Sequence, residues 1–253
     1  MSSEIVFYDI PGKSDETKAW SPNTWNIRYA LNYKGLKYRT EWVEFPHIES
    51  VCKKIGAPAT GTKADGVTPY YTLPVIFDPA TNTAVADATT IADYLDKTYP
   101  SKLLFPPGTR GLFGAFDALS SSIVMSPLFL LVVLPTCHVL NPISFEYFYS
   151  TRTTLLGTLE EVAPDGAEKT EKLWNELEAG LAKTASWFKA NGNTPFITGD
   201  APSYADIQIA GRLVWAKVVW GKDSKNWSRL RDLDGGRWGK FLDQFDKYSA
   251  VDL

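Results

Sequence analysis

"LPVIFDPATNTAVADATTIADYLDKTYP", residues 73–100, reads as two short strands and a helix. "LPVIFD" (73–78) and "NTAVAD" (82–87) are apolar runs joined through Asp-Pro-Ala-Thr, a turn signal. "TTIADYLDKTYP" (89–100) then places Ile91 and Leu95 on one face of a helix that Pro100 ends. A hairpin of this kind needs further strands beside it, and the residues before it supply them. "EIVFYDI" (4–10) is a buried-strand run, and "KYRTEWVEF" (37–45) carries Tyr38, Thr40 and Trp42 on one side. Between these two, Ser21 at N-cap, Pro22 at N1, Ile27 and Leu31 at helical spacing and Gly35 as the stop predict a helix. Ile48, Val51 and Ile55 predict a second, stopped by Gly56, and "APATGTKADGVTPYYT" (57–72) is a turn-rich insertion without helical periodicity. The order β-α-β-α-β-β-α fits an α/β layer with a mixed sheet over residues 1–100.

Past this layer the pattern changes. Residues 101–109, with Pro100 before them and Pro106, Pro107 and Gly108 within, read as a linker, and 110–253 reads as an all-α domain. Helices are expected over 111–134, 144–163, 166–191, 203–220 and 237–249. In the third, Leu173, Leu177, Leu181, Ala185 and Phe188 keep one apolar stripe. "IVMSPLFLLVVLP" (123–135) is almost wholly apolar, but it is shorter than the roughly 20 residues a spanning helix needs and has no basic flanks. It is expected to be a helix buried in the helical domain, with no membrane partner.

With 26 Lys and Arg scattered among 29 Asp and Glu, the chain has no basic stripe to meet phosphates, so nucleic acid is excluded as a partner. Cys52 and Cys137 stand far apart without metal-ligand spacing, which points to free thiols, no metal and a cytoplasmic location. "MSSEIVFYDI" has no basic segment and no apolar run of the signal-peptide kind.

Pro74 opens the third strand, where a trans proline would remove a ladder donor. A cis Leu73-Pro74 bond resolves this and would turn the Leu73 backbone outward as a docking edge for a peptide-like ligand; the alternative is an edge strand that begins with proline. Ser203-Tyr204-Ala205-Asp206 is a capping box opening a helix. Ser21 leaves two roles open. Its oxygen can cap the helix by accepting from Asn23 or Thr24, or its O–H can point outward and donate to an anionic sulfur, favouring the ionised form. The two histidines, His47 and His138, show no spacing that brings either to Ser21, so an acyl-serine mechanism is disfavoured.

"SPNTW" (21–25), "TLPVI" (72–76), "VADATTIADYLD" (85–96) and "FITGDAPSYADI" (196–207), in this order, resemble the cytosolic glutathione transferase family. The long insertion before "YTLPVI" is most similar to the fungal-specific class A, related to bacterial β-aryl etherases. The resemblance implies a thioredoxin-like N-terminal domain before an all-helical one, glutathione as co-substrate, and a homodimer. It assigns to Ser21 the hydrogen bond to the glutathione sulfur, with Asn23 as a second donor, and to Leu73, before Pro74, the backbone pairing with the cysteinyl part. The family usually follows an acid with serine to hold the γ-glutamyl end. Here the pair is Asp87-Ala88, leaving the Ala88 N–H and the Thr89 hydroxyl, and weaker glutathione binding is expected. An apolar cleft is expected to hold an aromatic electrophile, for conjugation or aryl ether cleavage. Its walls should come from the 11–20 loop and the helix carrying Phe113, Phe116 and Ser120. The alternative is a ligandin that sequesters aromatic or polyphenolic compounds with little turnover.

Overall fold

The computed structural model describes residues 4–252; Met1–Ser3 and Leu253, at the ends of the two expected domains, lie outside the described residues. Strand β1 (Ile5–Asp9) is buried at every position because it runs through the middle of a four-stranded sheet. The order is β2-β1-β5-β6, with β2 at Tyr38–Trp42, β5 at Val75–Asp78 and β6 at Thr83–Ala86. β1 is parallel to β2, Ile5 opposite Tyr38 and Asp9 opposite Trp42, and antiparallel to β5, Phe7 opposite Ile76. The sheet is therefore mixed. Helices α1 (Pro22–Lys34), α2 (Ile48–Ile55) and α3 (Ala88–Thr98) complete the layer. One element is additional: within the turn-rich insertion, β3 (Gly61–Thr62) and β4 (Pro69–Tyr70) pair as a small hairpin. Asp65 closes its tip by accepting from the Thr68 hydroxyl and the amides of Val67 and Thr68, which hold its carboxyl down at about 2.

The remainder is helical. α4 (Arg110–Ser120), a π turn at Ser121–Met125 and α5 (Ser126–Val139) form one continuous run. Pro127 falls where the π turn passes into α5, and Pro135 removes a single ladder bond without ending the helix. This run, of mean hydropathy 2.0 at its most apolar, is long and apolar enough to cross a membrane by length and composition alone. Leu128, Leu131, Val132, Val133 and Cys137 are nevertheless buried, and α5 packs on α7 (Glu168–Ala190) and α8 (Tyr204–Trp220). α6 (Pro142–Leu156) stops at Gly157 and not at 163. α9 (Lys225–Asp243) begins well before the expected 237, capped by Ser224, and its two halves meet at a kink over Leu233–Gly236.

The two layers meet where α1 lies on α8. A Cβ at Gly211 would stand 2.3 Å from Asn26 Oδ1 and 2.8 Å from the Pro22 carbonyl oxygen, so only glycine permits this approach. Asp96 holds the segment between the layers: it accepts from Lys34 Nζ at 2.8 Å and from the amides of Leu104 and Phe105 at 2.9 Å. A third tie comes from the end of the chain. Arg28, fully buried, pairs with the equally buried Asp9 at 2.8 Å and also donates to the Val251 carbonyl. Asn32 and Tyr38 donate to the Ala250 carbonyl at 2.8 and 3.0 Å, and Thr40 to Asp252 at 2.6 Å, so residues 248–252 lie as a strap over α1 and β2.

The expected capping box is present. Asp206 accepts from Ser203 N–H and Oγ at 2.9 and 2.6 Å and from Ile197 N–H at 2.8 Å. Complete burial outweighs these bonds and pushes its carboxyl from 3.8 up to about 6. With the folded pKa above the unfolded one, the native state holds the extra proton between about pH 4 and 6. This group's stabilising contribution is thus fully present below about pH 4 and lost as the pH rises through 6. Asp206→Asn should flatten that part of the curve, read as urea midpoints at about pH 4.5 and 7. A slope equal to the wild type's would remove Asp206 from this account.

Candidate active site

Ser21 sits at the head of α1 in extended conformation, φ −67° and ψ 129°. Its backbone is held from both sides: the Ser21 carbonyl accepts from Trp25 N–H at 2.9 Å and Thr24 Oγ1 at 3.1 Å, while the Trp25 indole donates to the Ala19 carbonyl at 2.9 Å. The Ser21 hydroxyl makes no capping bond. It lines a cleft of about 270 Å³. Pro22 opens the helix without an N–H to satisfy, and the Asn23 and Thr24 amides donate no bond to the serine oxygen.

Asn23, exposed, and Leu73, buried, line the same cleft, and the Leu73-Pro74 bond is cis. Asp87, Ala88 and Thr89 stand at the N-terminus of α3, outside the lining of this cleft. Asp87 accepts there from Thr90 N–H at 2.9 Å and Thr90 Oγ1 at 3.0 Å, with its backbone at φ 74°. Phe113, Phe116 and Ser120, expected as the second wall, do not line this cleft. Phe113 and Phe116 turn into a separate aromatic cavity, Phe113 lying 5.1 Å from Phe105 and 5.2 Å from Tyr204, ring centre to ring centre. Ser120 is buried and accepts from Arg212. Of the 11–20 loop only Trp20 reaches the cleft, because the loop folds back on the end of α5, with Lys13 N–H on the Val139 carbonyl.

The helical side of the cleft beside Ser21 is lined by Met125, Phe129, Tyr147, Phe148, Arg152 and Trp215, contributed by the π turn, α5, α6 and α8. Across from them, Phe45 stacks on Tyr147 at 5.6 Å and 11°, and Trp20 meets Phe148 edge-on at 6.4 Å. Glu44 fixes this juxtaposition. It accepts from Asn141 Nδ2 at 2.8 Å and from Ser144 Oγ, while Ser144 Oγ in turn accepts from Phe45 N–H at 3.0 Å. A carboxylate just before Phe45 thereby ties the start of α6 to the first layer. Nothing local in "EFPH" or "NPIS" announces this contact; only the pairing across the fold reveals it. Both thiols, Cys52 and Cys137, are buried and pushed up to about 11, so neither offers a thiolate. Among the described residues no group of three metal-ligating side chains occurs.

A family model described as the glutathione S-transferase N-terminal domain matches residues 20–98, and one for the C-terminal domain matches residues 111–248. The chain belongs to the glutathione S-transferase family. This transferase is similar over 99% of both chains to glutathione transferase GSTFuA3 from Phanerochaete chrysosporium, at 48% identity and TM-score 0.93. It is 47% identical, over 98% of both chains and at TM-score 0.93, to CsGST63524 of Ceriporiopsis subvermispora, solved in complex with glutathione. Glutathione S-transferase-like protein ustS from Aspergillus flavus is 29% identical over 92% of this chain and 85% of its own. The transferase thus has the thioredoxin-like layer and helical domain of its family, with fungal enzymes as near relatives.

Proposed function

We propose that this transferase binds glutathione along the edge of the first layer and uses the Ser21 hydroxyl to hold the sulfur as thiolate, for attack on an aromatic electrophile in the adjoining cleft. The observation that carries the proposal is the Ser21 hydroxyl, free of its cap and lining an aromatic cleft beside Leu73. A donor at a helix N-terminus favours an anion on two counts, through the hydrogen bond and through the dipole. Residues 1–100 then serve as the glutathione-binding domain and 110–253 as the helical domain, joined by 101–109. Asn23 is the second donor, and the Leu73 backbone, ahead of Pro74, takes the cysteinyl part. Asp87, Ala88 and Thr89 at the head of α3 take the γ-glutamyl end. The protein works as a homodimer in the cytoplasm, without metal.

The second reading is ligandin binding, favoured by one observation. The Phe45–Tyr147 stack with Trp20 and Phe148 forms an aromatic wall that can hold planar compounds without any reaction. Thermal unfolding with added ligands separates the two, since a ligand bound only to the native state at about 100 times its Kd adds roughly 2.7 kcal/mol of apparent stability. Millimolar glutathione, and a glutathionyl conjugate more strongly, should raise Tm by several degrees. A rise with phenolic compounds alone would favour sequestration, and no rise with glutathione or conjugate would overturn the transferase proposal.

A further inference from the structure

The charges lining the cleft are unevenly matched. Glu49 and Lys63 pair at 3.2 Å, and Glu49 takes Lys53 as well at 2.8 Å, so each lysine near this rim of the first layer already has a carboxylate partner. Arg152 is different. Its guanidinium lies over the Phe148 ring, 4.5 Å from the centroid, and one N–H goes to Thr151 Oγ1 at 3.1 Å. Among the described residues no carboxylate pairs with it. A half-buried guanidinium with most of its five donors unspent, held over an aromatic ring, is an arrangement that receives a planar anion.

We infer that Arg152 is the specificity residue of the acceptor site, selecting aromatic compounds that carry a carboxylate, sulfonate or phenolate over neutral ones of the same shape. This rests on the cleft being the acceptor site of the transferase. The placement favours the acceptor over glutathione's own carboxylates. Arg152 and the ring beneath it belong to α6, in the helical domain, whereas Ser21, Asn23, Leu73 and Lys63 belong to the first layer. An arene stacked along Phe148 and Tyr147 would set its anionic group against the Arg152 fork and leave the rest of the ring for attack from the Ser21 side. A charge-assisted pair of this kind is worth about tenfold to hundredfold in affinity.

Two matched pairs of probes test this. In the first, 4-chloro-3-nitrobenzoate and its methyl ester react at the same carbon: the glutathione thiolate forms the C–S bond, chloride leaves with the bonding electrons, and the thiol proton goes to buffer. The ester is the more reactive of the two without enzyme, so wild type should raise the carboxylate-to-ester ratio of kcat/KM above the uncatalysed ratio, and Arg152→Gln should lower it by at least tenfold with the glutathione KM unchanged. Arg152→Lys should recover part of the ratio. In the second, 8-anilinonaphthalene-1-sulfonate and N-phenyl-1-naphthylamine are bound without glutathione and followed by fluorescence, so anion selectivity is read even if no conjugation occurs. A ratio unaltered by Arg152→Gln in both assays overturns the proposal. So does a rise in the glutathione KM with an unaltered ratio, which would make Arg152 a glutathione clamp. Loss of conjugation by wild type with the sulfonate preference intact would count against the transferase reading alone and leave Arg152's selectivity standing.

Discussion

Ser21→Ala is expected to raise the kinetic pKa of the enzyme-bound thiol by about one to two units and to slow conjugation at pH 6.5 by about tenfold to hundredfold. The direction follows from the role proposed for the hydroxyl. A donor to the sulfur lowers the energy of the thiolate more than that of the thiol, and each unit of pKa corresponds to about 1.4 kcal/mol of that difference. Because the Ser21 oxygen caps no helix N–H, its removal leaves no helix donor newly unsatisfied, and the stability change should stay within about 0.5 kcal/mol. The free N–H groups at the head of α1 remain in the variant, so some activation survives. The measurement is the pH dependence of kcat/KM toward an activated aryl halide, alongside the melting temperature. A profile superimposable on the wild type's would deny Ser21 its role; a large fall in Tm would show that its oxygen is a structural partner after all.

Arg28→Met is expected to cost about 3–5 kcal/mol and to lower Tm by about 10 °C or more. Both members of the Arg28–Asp9 pair are fully buried. Burial acts on Asp9 more strongly than its partner does, raising the carboxyl above its usual range even with Arg28 beside it. Removing the guanidinium leaves Asp9 with the Ile10 amide at 2.7 Å and the Thr24 side chain, neither of them a cation, and it takes one donor from the Val251 carbonyl in the strap. Replacing both residues, as in Arg28→Met with Asp9→Leu, should recover much of the loss, since a well-packed apolar pair avoids the desolvation of two ions. Thermal melts of the two variants and the wild type decide it. A single variant within 1 kcal/mol of wild type would mean that water reaches Asp9 on removal of its partner.

The elements that sequence reading recovered are those whose signals are local. The β1, β2, β5 and β6 runs, the Pro22 start and Gly35 stop of α1, and the Ser203–Asp206 box all depend on residues within a few positions of one another. The misplacements have a common physical origin. Phe113 has helical spacing suited to any apolar neighbour, and its choice of Phe105 and Tyr204 over the cleft depends on where α8 passes. Arg152 and Glu44 carry nothing distinctive in their own neighbourhoods; each gains meaning from a residue far away in the chain, Arg152 from the cleft it shares with Ser21 and Glu44 from Asn141 and Ser144. The start of α9 was legible in the Ser224 cap, but Asp234-Gly235-Gly236 breaks its period and hides the first half. For Ser21, the pattern of residues limited the oxygen to two directions, and the choice between them is a side-chain rotation that no spacing encodes.

The contact at Gly211 bears on how such chains can be recombined. α8 belongs to the helical domain, yet a single hydrogen-sized position on it seats the turn of α1 that presents Ser21. The halves are therefore not freely exchangeable parts. A hybrid that joins this first layer to a helical domain bearing alanine or serine at the matching position would push Pro22 aside, and Ser21's surroundings would be altered by a residue outside the lining of the cleft. Side chains lining the cleft can vary on α5 and α6, while the seam at Gly211 of α8 keeps α1 and Ser21 in register.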